Sequence, residues 1–155
     1  MENLKEKELV VSGEVVAAAD EMTKLAKIRS GEEVSFYCSI PDDGTRESKI
    51  AVYNAINNNA VKLGDMIGKE IKVTNIAAHS VRIVSDEDGE IMDVTRVVFI
   101  GENGETYESV AQGIFSSVEK IFGIIGFAPW EPAITIVPKE VRTRKGYKTL
   151  TLDLK

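Results

Sequence analysis

The chain is poor in the residues that do chemistry. It has one histidine, His79, and one cysteine, Cys38, among 155 residues. No Cys/His metal cluster can be assembled from such a pair. A single cysteine also forms no internal disulfide, which favours a reducing, intracellular setting. Aromatic residues are only 6% of the chain, with one tryptophan and four prolines. No apolar run approaches the roughly 20 residues of a membrane-spanning helix, and the Lys/Glu-rich start, Met1 to Glu8, lacks the basic n-region and apolar h-region of a signal peptide. Glycine-rich phosphate loops, nucleophile elbows and HExxH helices do not occur. Gly101-Glu102-Asn103-Gly104 lacks the Lys-Ser/Thr end of a phosphate loop, and the acidic stretch Asp86–Asp93 does not have EF-hand spacing and reads as a solvated turn. An enzyme is therefore not expected, and no cofactor or metal.

What is present is a core and an uneven charge. Apolar residues make up 43% of the chain, enough for one domain, and the formal net charge is −6. That charge is not spread evenly. Residues 1–47 carry 6 basic and 11 acidic side chains, residues 48–133 carry 7 and 12, and residues 134–155 carry 6 and 2. The C-terminal segment is the one basic region, where an electrostatic footprint belongs.

The stretch from Glu90 to Gly126 organises the rest. Residues 92–100 alternate and are rich in β-branched side chains, with both faces mostly apolar, which predicts a central strand. Asn103-Gly104 suits a tight hairpin, and a short strand ending near Tyr107 follows. Val110, Ile114, Val118, Ile121 and Ile125 then share one helix face, widened by Phe115 and Phe122. Ser109 and Gln112 have capping-box spacing, and Gly123, Gly126 and Pro129 are stop signals. Ahead of this stretch, residues 13–28 have the period of an amphipathic helix, which packs on the domain or serves self-association. Residues 33–40 and Lys49–Ile56 alternate as strands, and residues 61–69 read as loop. Ile71–Val84 predicts a long strand kinked at Ala77–Ser80. After the helix, Ile134–Val141 and Tyr147–Leu154 predict two strands joined by the basic tip Arg142–Gly146. Trp130 reads as a loop anchor and Phe99 as core.

Long kinked strand, strand, short strand, helix, strand, strand is the order of an OB-fold. The expected fold is mainly β with helices: a five-stranded OB-like barrel with a helix between strands 3 and 4, over residues 48–155. An N-terminal extension of helix and strand covers residues 1–47.

Such a barrel offers a binding surface. Arg142, Arg144, Lys145 and Lys148 cluster at the last hairpin around Tyr147. Cations track phosphates, and an aromatic face stacks on any base at about 1–3 kcal/mol per contact. Lys72, Arg82 and Arg96 are further candidate cations facing the same groove. Tyr53 and Tyr107 are further stacking candidates, with rim or core packing as the plainer role for both. His79 reads as a structural histidine.

The chain from Ile50 to Leu154 also resembles the single-stranded DNA-binding proteins of small tailed phages that replicate by protein priming. The matching parts are Tyr53-Asn54-Ala55, the Ile71–Ala78 strand with Asn75 and Ala77, and the Thr95–Gly104 strand and turn. Gly104-Glu105-Thr106-Tyr107-Glu108-Ser109 leading into the helix, and the strands around Lys145-Gly146, complete them. The resemblance implies coating of single DNA strands displaced during replication, without sequence preference or catalysis, in the cytoplasm of a bacterial host. It carries Tyr107 over as a tyrosine position of the family, and it places His79 near where the family tends to have an aromatic. Single-stranded DNA and replication proteins are the implied partners; a second copy engaged through the N-terminal region is expected from the amphipathic helix instead. A protein-interaction module on the same barrel, using the N-terminal helix, is the alternative.

Overall fold

In the computed structural model, residues 36–41, 43–57, 59–85 and 88–155 are described. The helix expected over residues 13–28, and with it the N-terminal self-association element, lies outside them. The elements are β1 (Phe36–Cys38), α1 (Arg46–Asn57), β2 (Val61–Lys62), a 3-10 turn at Leu63–Met66, β3 (Ile71–Val84), β4 (Ile91–Gly101), β5 (Thr106–Ser109), α2 (Gln112–Ile124), β6 (Ile134–Arg142) and β7 (Lys148–Leu154).

The strands form one curled, mixed sheet, half of a barrel, in the order β2-β5-β4-β3-β6-β7, with β1 also on β3. The parallel pair is β2–β5. β3 lies against β4 along most of its length, and its other edge changes partner, taking β6 at Ile71–Val73 and β1 at Ala77–His79. The change falls at a bulge between Val73 and Asn75. This corrects the kink expected at Ala77–Ser80, which is regular strand. The cause is tertiary. The Thr74 carbonyl accepts from Trp130 N–H at 2.8 Å, and the Thr74 hydroxyl donates to the Ile100 carbonyl at 3.3 Å. An extra residue in the ladder frees that carbonyl for the 126–133 loop.

Lys49–Ile56 is helix, not strand. Thr45 caps it: its hydroxyl accepts from Ser48 N–H at 3.2 Å, and the Ser48 hydroxyl donates back to the Thr45 carbonyl at 3.0 Å. Ser48, Val52, Ala55 and Ile56, at helical spacing, are its covered side, against β3 and β4.

The core lies between the concave face of the sheet and α2. Ile76, Val97, Phe99, Ile114 and Ile136 are fully buried. Phe122 meets Tyr37, Phe127 and Trp130 at ring-centroid distances of 5.8, 5.0 and 5.8 Å. α2 presents Ile114, Phe115, Val118, Ile121 and Phe122 to this core, while Val110 and Ile125 fall outside the helix and are exposed. The Ser109–Gln112 capping box does not form. Ser109 is still paired in β5 with Val97, and its hydroxyl accepts from Ala111 N–H instead, so Ala111 is the N-cap. At the other end Gly126, at φ +120°, turns the chain out, while Gly123 is an interior helix residue.

α2 also covers the free edge of β7. The Ser117 hydroxyl accepts from Leu152 N–H at 3.3 Å, and Gly113, one turn earlier, lies against the Leu150 carbonyl. An unpaired strand edge is thereby shielded by a helix.

Candidate nucleic-acid interface

The β6–β7 hairpin is built to hold its tip rigid. Thr143 N–H donates to the Tyr147 carbonyl at 2.7 Å, Gly146 N–H to the Thr143 carbonyl at 2.9 Å, and Tyr147 N–H to the Thr143 hydroxyl at 3.2 Å. Gly146 closes the turn at φ +84°, where a side chain would be strained. On this frame Arg142, Arg144, Lys145 and Lys148 are all exposed, and Tyr147 is 68% exposed. Arg142 stands directly opposite Lys148 in the ladder. Like charges in that relation repel. Lys148 has a distant carboxylate, Glu140, at 3.5 Å. Among the described residues Arg142, Arg144 and Lys145 have no ion-pair partner. A cluster of uncompensated cations on a fixed tip, with an exposed aromatic ring between them, suits a polyanion with planar bases.

The other candidates lie elsewhere. Lys72 is exposed in a cleft of about 330 Å³ whose walls include Glu70, Glu102, Asn103 and Thr135. Two carboxylates beside it make a poor phosphate track. Tyr107 edges the same cleft, but its ring belongs to the core and only 6% of the residue is exposed. Its hydroxyl donates to Glu105 at 2.9 Å, and burial together with that carboxylate raises its pKa. It presents no open stacking face. Arg82 is near the far end of β3 from Lys72, in an exposed pair with Asp93 at 3.1 Å, a contact worth little in water. Tyr53 is exposed on α1. Arg46 and Lys49, not singled out in the sequence, share its helix face at positions i−7 and i−4 and are also exposed. The Thr45–Ser48 cap was the signal that would have placed them there.

Arg96 is not in an open groove. Its side chain is 13% exposed, ion-paired to Glu108 of β5. It donates to the Ile56 carbonyl at the end of α1 at 2.7 Å. A cation at a helix C-terminus is favoured by the helix dipole, so Arg96 fastens α1 to the outer face of the sheet.

Residues 31–155 match the family model described as phage single-stranded DNA-binding protein. The chain belongs to that family. No curated protein and no solved structure matches it. The family match begins at residue 31, ahead of the Ile50 from which the resemblance runs, and it takes in β1, which is a strand of the same sheet. Proteins of this phage single-stranded DNA-binding family are binding proteins. Among the described residues no group of His, Cys, Asp and Glu is placed to hold a metal ion, and no helix is long and apolar enough to cross a membrane. Cys38 is half-buried, and desolvation raises the pKa of its thiol.

His79, where an aromatic was expected from the family, lies opposite Arg96 in the ladder. Its Nε2 is 3.1 Å from the guanidinium. A guanidinium only donates, so Nε2 accepts and the imidazole is neutral with its proton on Nδ1. Burial, then the Arg96 charge, push the His79 pKa below its ordinary 6.5, with Glu108 opposing. A depressed histidine pKa contributes stability that is complete above the unfolded value and is lost as the pH falls through the folded one. The urea midpoint of the protein is therefore expected to fall as pH drops below about 6.5, before carboxylates titrate. His79→Gln keeps an acceptor for Arg96 and is expected to flatten that slope. An unchanged slope in the variant would assign the pH dependence to other groups.

Proposed function

We propose that this protein binds single-stranded DNA without sequence preference through the β6–β7 hairpin, and that it coats strands displaced during replication. The observation that carries the reading is the Arg142–Lys148 hairpin: like charges in register, without carboxylates at its tip, around an exposed tyrosine. Phosphates bridging Arg142 and Lys148 would relieve their repulsion, and the Tyr147 ring would stack on a base of any identity. Counterion release then drives affinity and makes it fall with salt. We read the curled sheet as an OB-like barrel, with β3, β4, β5, β6 and β7 as its five strands and α2 between the third and fourth. The long bent β3, shared between β4 and β6, supports this reading. The hairpin is then the loop that flanks the usual OB groove.

The test is an anisotropy titration with labelled oligo-dT and an equal-length duplex at two salt concentrations. Tighter binding to the single strand, weakened by salt and accompanied by tyrosine quenching, is expected. Tyr147→Ala should weaken it by about 1–3 kcal/mol, roughly 5- to 150-fold, with the circular dichroism spectrum unchanged. No binding to either oligonucleotide at low salt would remove the reading and favour a protein partner for the hairpin. Contacts with other replication proteins belong to the same proposal; co-sedimentation that survives nuclease treatment would support them.

A further inference from the structure

Two exposed apolar patches lie outside the basic hairpin tip. The first is at the end of the β3–β4 hairpin. β1 reaches along β3 only to His79, and β5 reaches along β4 only from Val97. Among the described residues, 80–84 and 91–96 therefore form a two-stranded arm flanked by no other strand. At its tip Ile83 stands opposite Met92, and Val84 opposite Ile91. Successive residues alternate in direction, so one pair lies on each face of the ribbon. All four are exposed, Ile91 to 71%. Met92 borders a small cleft with Val110 and Gln112, yet among the described residues the apolar side chains of both faces stay exposed, and such clusters mark association sites. Asp88 and Glu90, next to this tip, are both exposed carboxylates.

The second patch is a groove of about 370 Å³ between the last turns of α2 and the β6–β7 pair. Ile121, Ile124, Leu152 and Leu154 line it, with Ile124 81% exposed at the mouth. Lys120 and Lys139 stand on its rim. Lys139 pairs with Asp153 at 2.7 Å, whereas Lys120 has no ion pair among the described residues. The groove belongs in part to the C-terminal segment, which has six basic and two acidic side chains.

Polarity and charge of the two patches are complementary: an apolar ribbon tip beside the carboxylates Asp88 and Glu90, and an apolar groove with the ammonium of Lys120 on its rim. They lie toward opposite ends of β3, whose 14 residues span roughly 45 Å of extended strand. Ile71 at one end pairs with Ile136 of the groove strand, and Val84 at the other is the arm tip. We propose that the β3–β4 arm of one copy seats in the α2/β6–β7 groove of the next, joining copies of this chain head to tail. A contact between two different patches does not close on itself and gives open, linear arrays. Such an array matches a linear lattice, and neighbouring copies on one DNA strand would favour each other's binding. The contact itself needs no DNA.

Sedimentation of the full chain without DNA, from micromolar to millimolar concentration, tests this. The parent is expected to pass from monomer to dimer and longer species. Ile91→Asp on the arm and Ile124→Asp in the groove, both at exposed positions, should each weaken association at least about tenfold. Each variant keeps one intact patch, so an equimolar mixture should recover a dimer and nothing longer. If either substitution disturbs the circular dichroism spectrum, the charge reversals Glu90→Lys and Lys120→Glu take its place; each alone should weaken association, and a mixture of the two reversals, whose reversed residues again pair, should recover species longer than a dimer. A parent that stays monomeric, both free and on a dT strand long enough for several copies, overturns the proposal. So does a variant that associates like the parent, or a mixture that stays monomeric. Each variant should bind a dT strand that holds one copy as well as the parent does. If none of them binds it, the DNA-binding reading fails and sedimentation alone decides the head-to-tail contact.

Discussion

Replacing Arg142, Arg144 and Lys145 together by alanine is expected to weaken oligo-dT binding about a hundredfold at 0.1 M salt and to reduce the salt slope by about two. Each phosphate neutralised on a single strand contributes about 0.7 to the slope of log K against log salt, so three contacts account for both numbers. The three side chains are exposed and have no ion pair among the described residues, so their loss should not lower the unfolding midpoint, and relief of the Arg142–Lys148 repulsion can only raise it. That combination separates a binding surface from a solvated tip. A titration in which affinity and slope both stay at the parent values would move the site off the hairpin. Arg82→Ala, in an exposed ion pair at the other end of the sheet, is the control and should alter the slope by much less.

The largest stability effect is expected from a single methyl group. A Cβ on Gly113 would lie 2.2 Å from the Leu150 carbonyl oxygen and 2.8 Å from the Thr149 hydroxyl oxygen. The first of these is backbone of β7, which moves only if α2 lifts from the strand edge that it covers. Overpacking of this kind costs about 1–3 kcal/mol, and here the upper end applies because the obstacle is a strand. Alanine regains about 1 kcal/mol of helix propensity over glycine. Gly113→Ala should thus destabilise by about 2 kcal/mol net, a fall of several degrees in melting temperature. A methyl group on Gly123, in the same helix, would meet nothing within 4 Å, so Gly123→Ala should stabilise by about 0.5–1 kcal/mol. Opposite signs at two glycines of one helix, read by urea denaturation, check the α2–β7 contact. A stabilised Gly113→Ala would show that α2 does not cover that edge.

The parts of the fold that were legible in the sequence are those set by nearest neighbours. Asn103-Gly104 turns the chain because Gly104 takes φ +85°, and the Ile91–Gly101 strand forms from β-branched alternation. Ile114, Phe115, Val118, Ile121 and Phe122 form a face at helical spacing wherever the helix packs. The basic tip was legible for the same reason, since residues joined by a tight two-strand turn stay together in any fold. Lys49–Ile56 was misread because a short segment with apolar side chains at mixed spacing fits a strand as well as a helix. The deciding contact, Thr45 to Ser48, lies just ahead of that window.

The candidate site divides along the same line. Composition and turn pattern alone established a basic C-terminal hairpin on an acidic chain, because charge and residue type need no coordinates. Only the tertiary structure decided which of the scattered candidates remain open to a ligand. Arg96 and Tyr107 lie in alternating strands whose two faces look alike in sequence. Arg96 is covered because α1, 40 residues earlier at Ile56, ends over it. Tyr107 is buried because the curl of the sheet turns its side of β5 into the core. The bulge at Thr74 was out of reach for the same reason, being set by Trp130, 56 residues later in the chain. Local pattern fixes which way a side chain alternates, but whether that side meets water depends on what the rest of the chain lays over it.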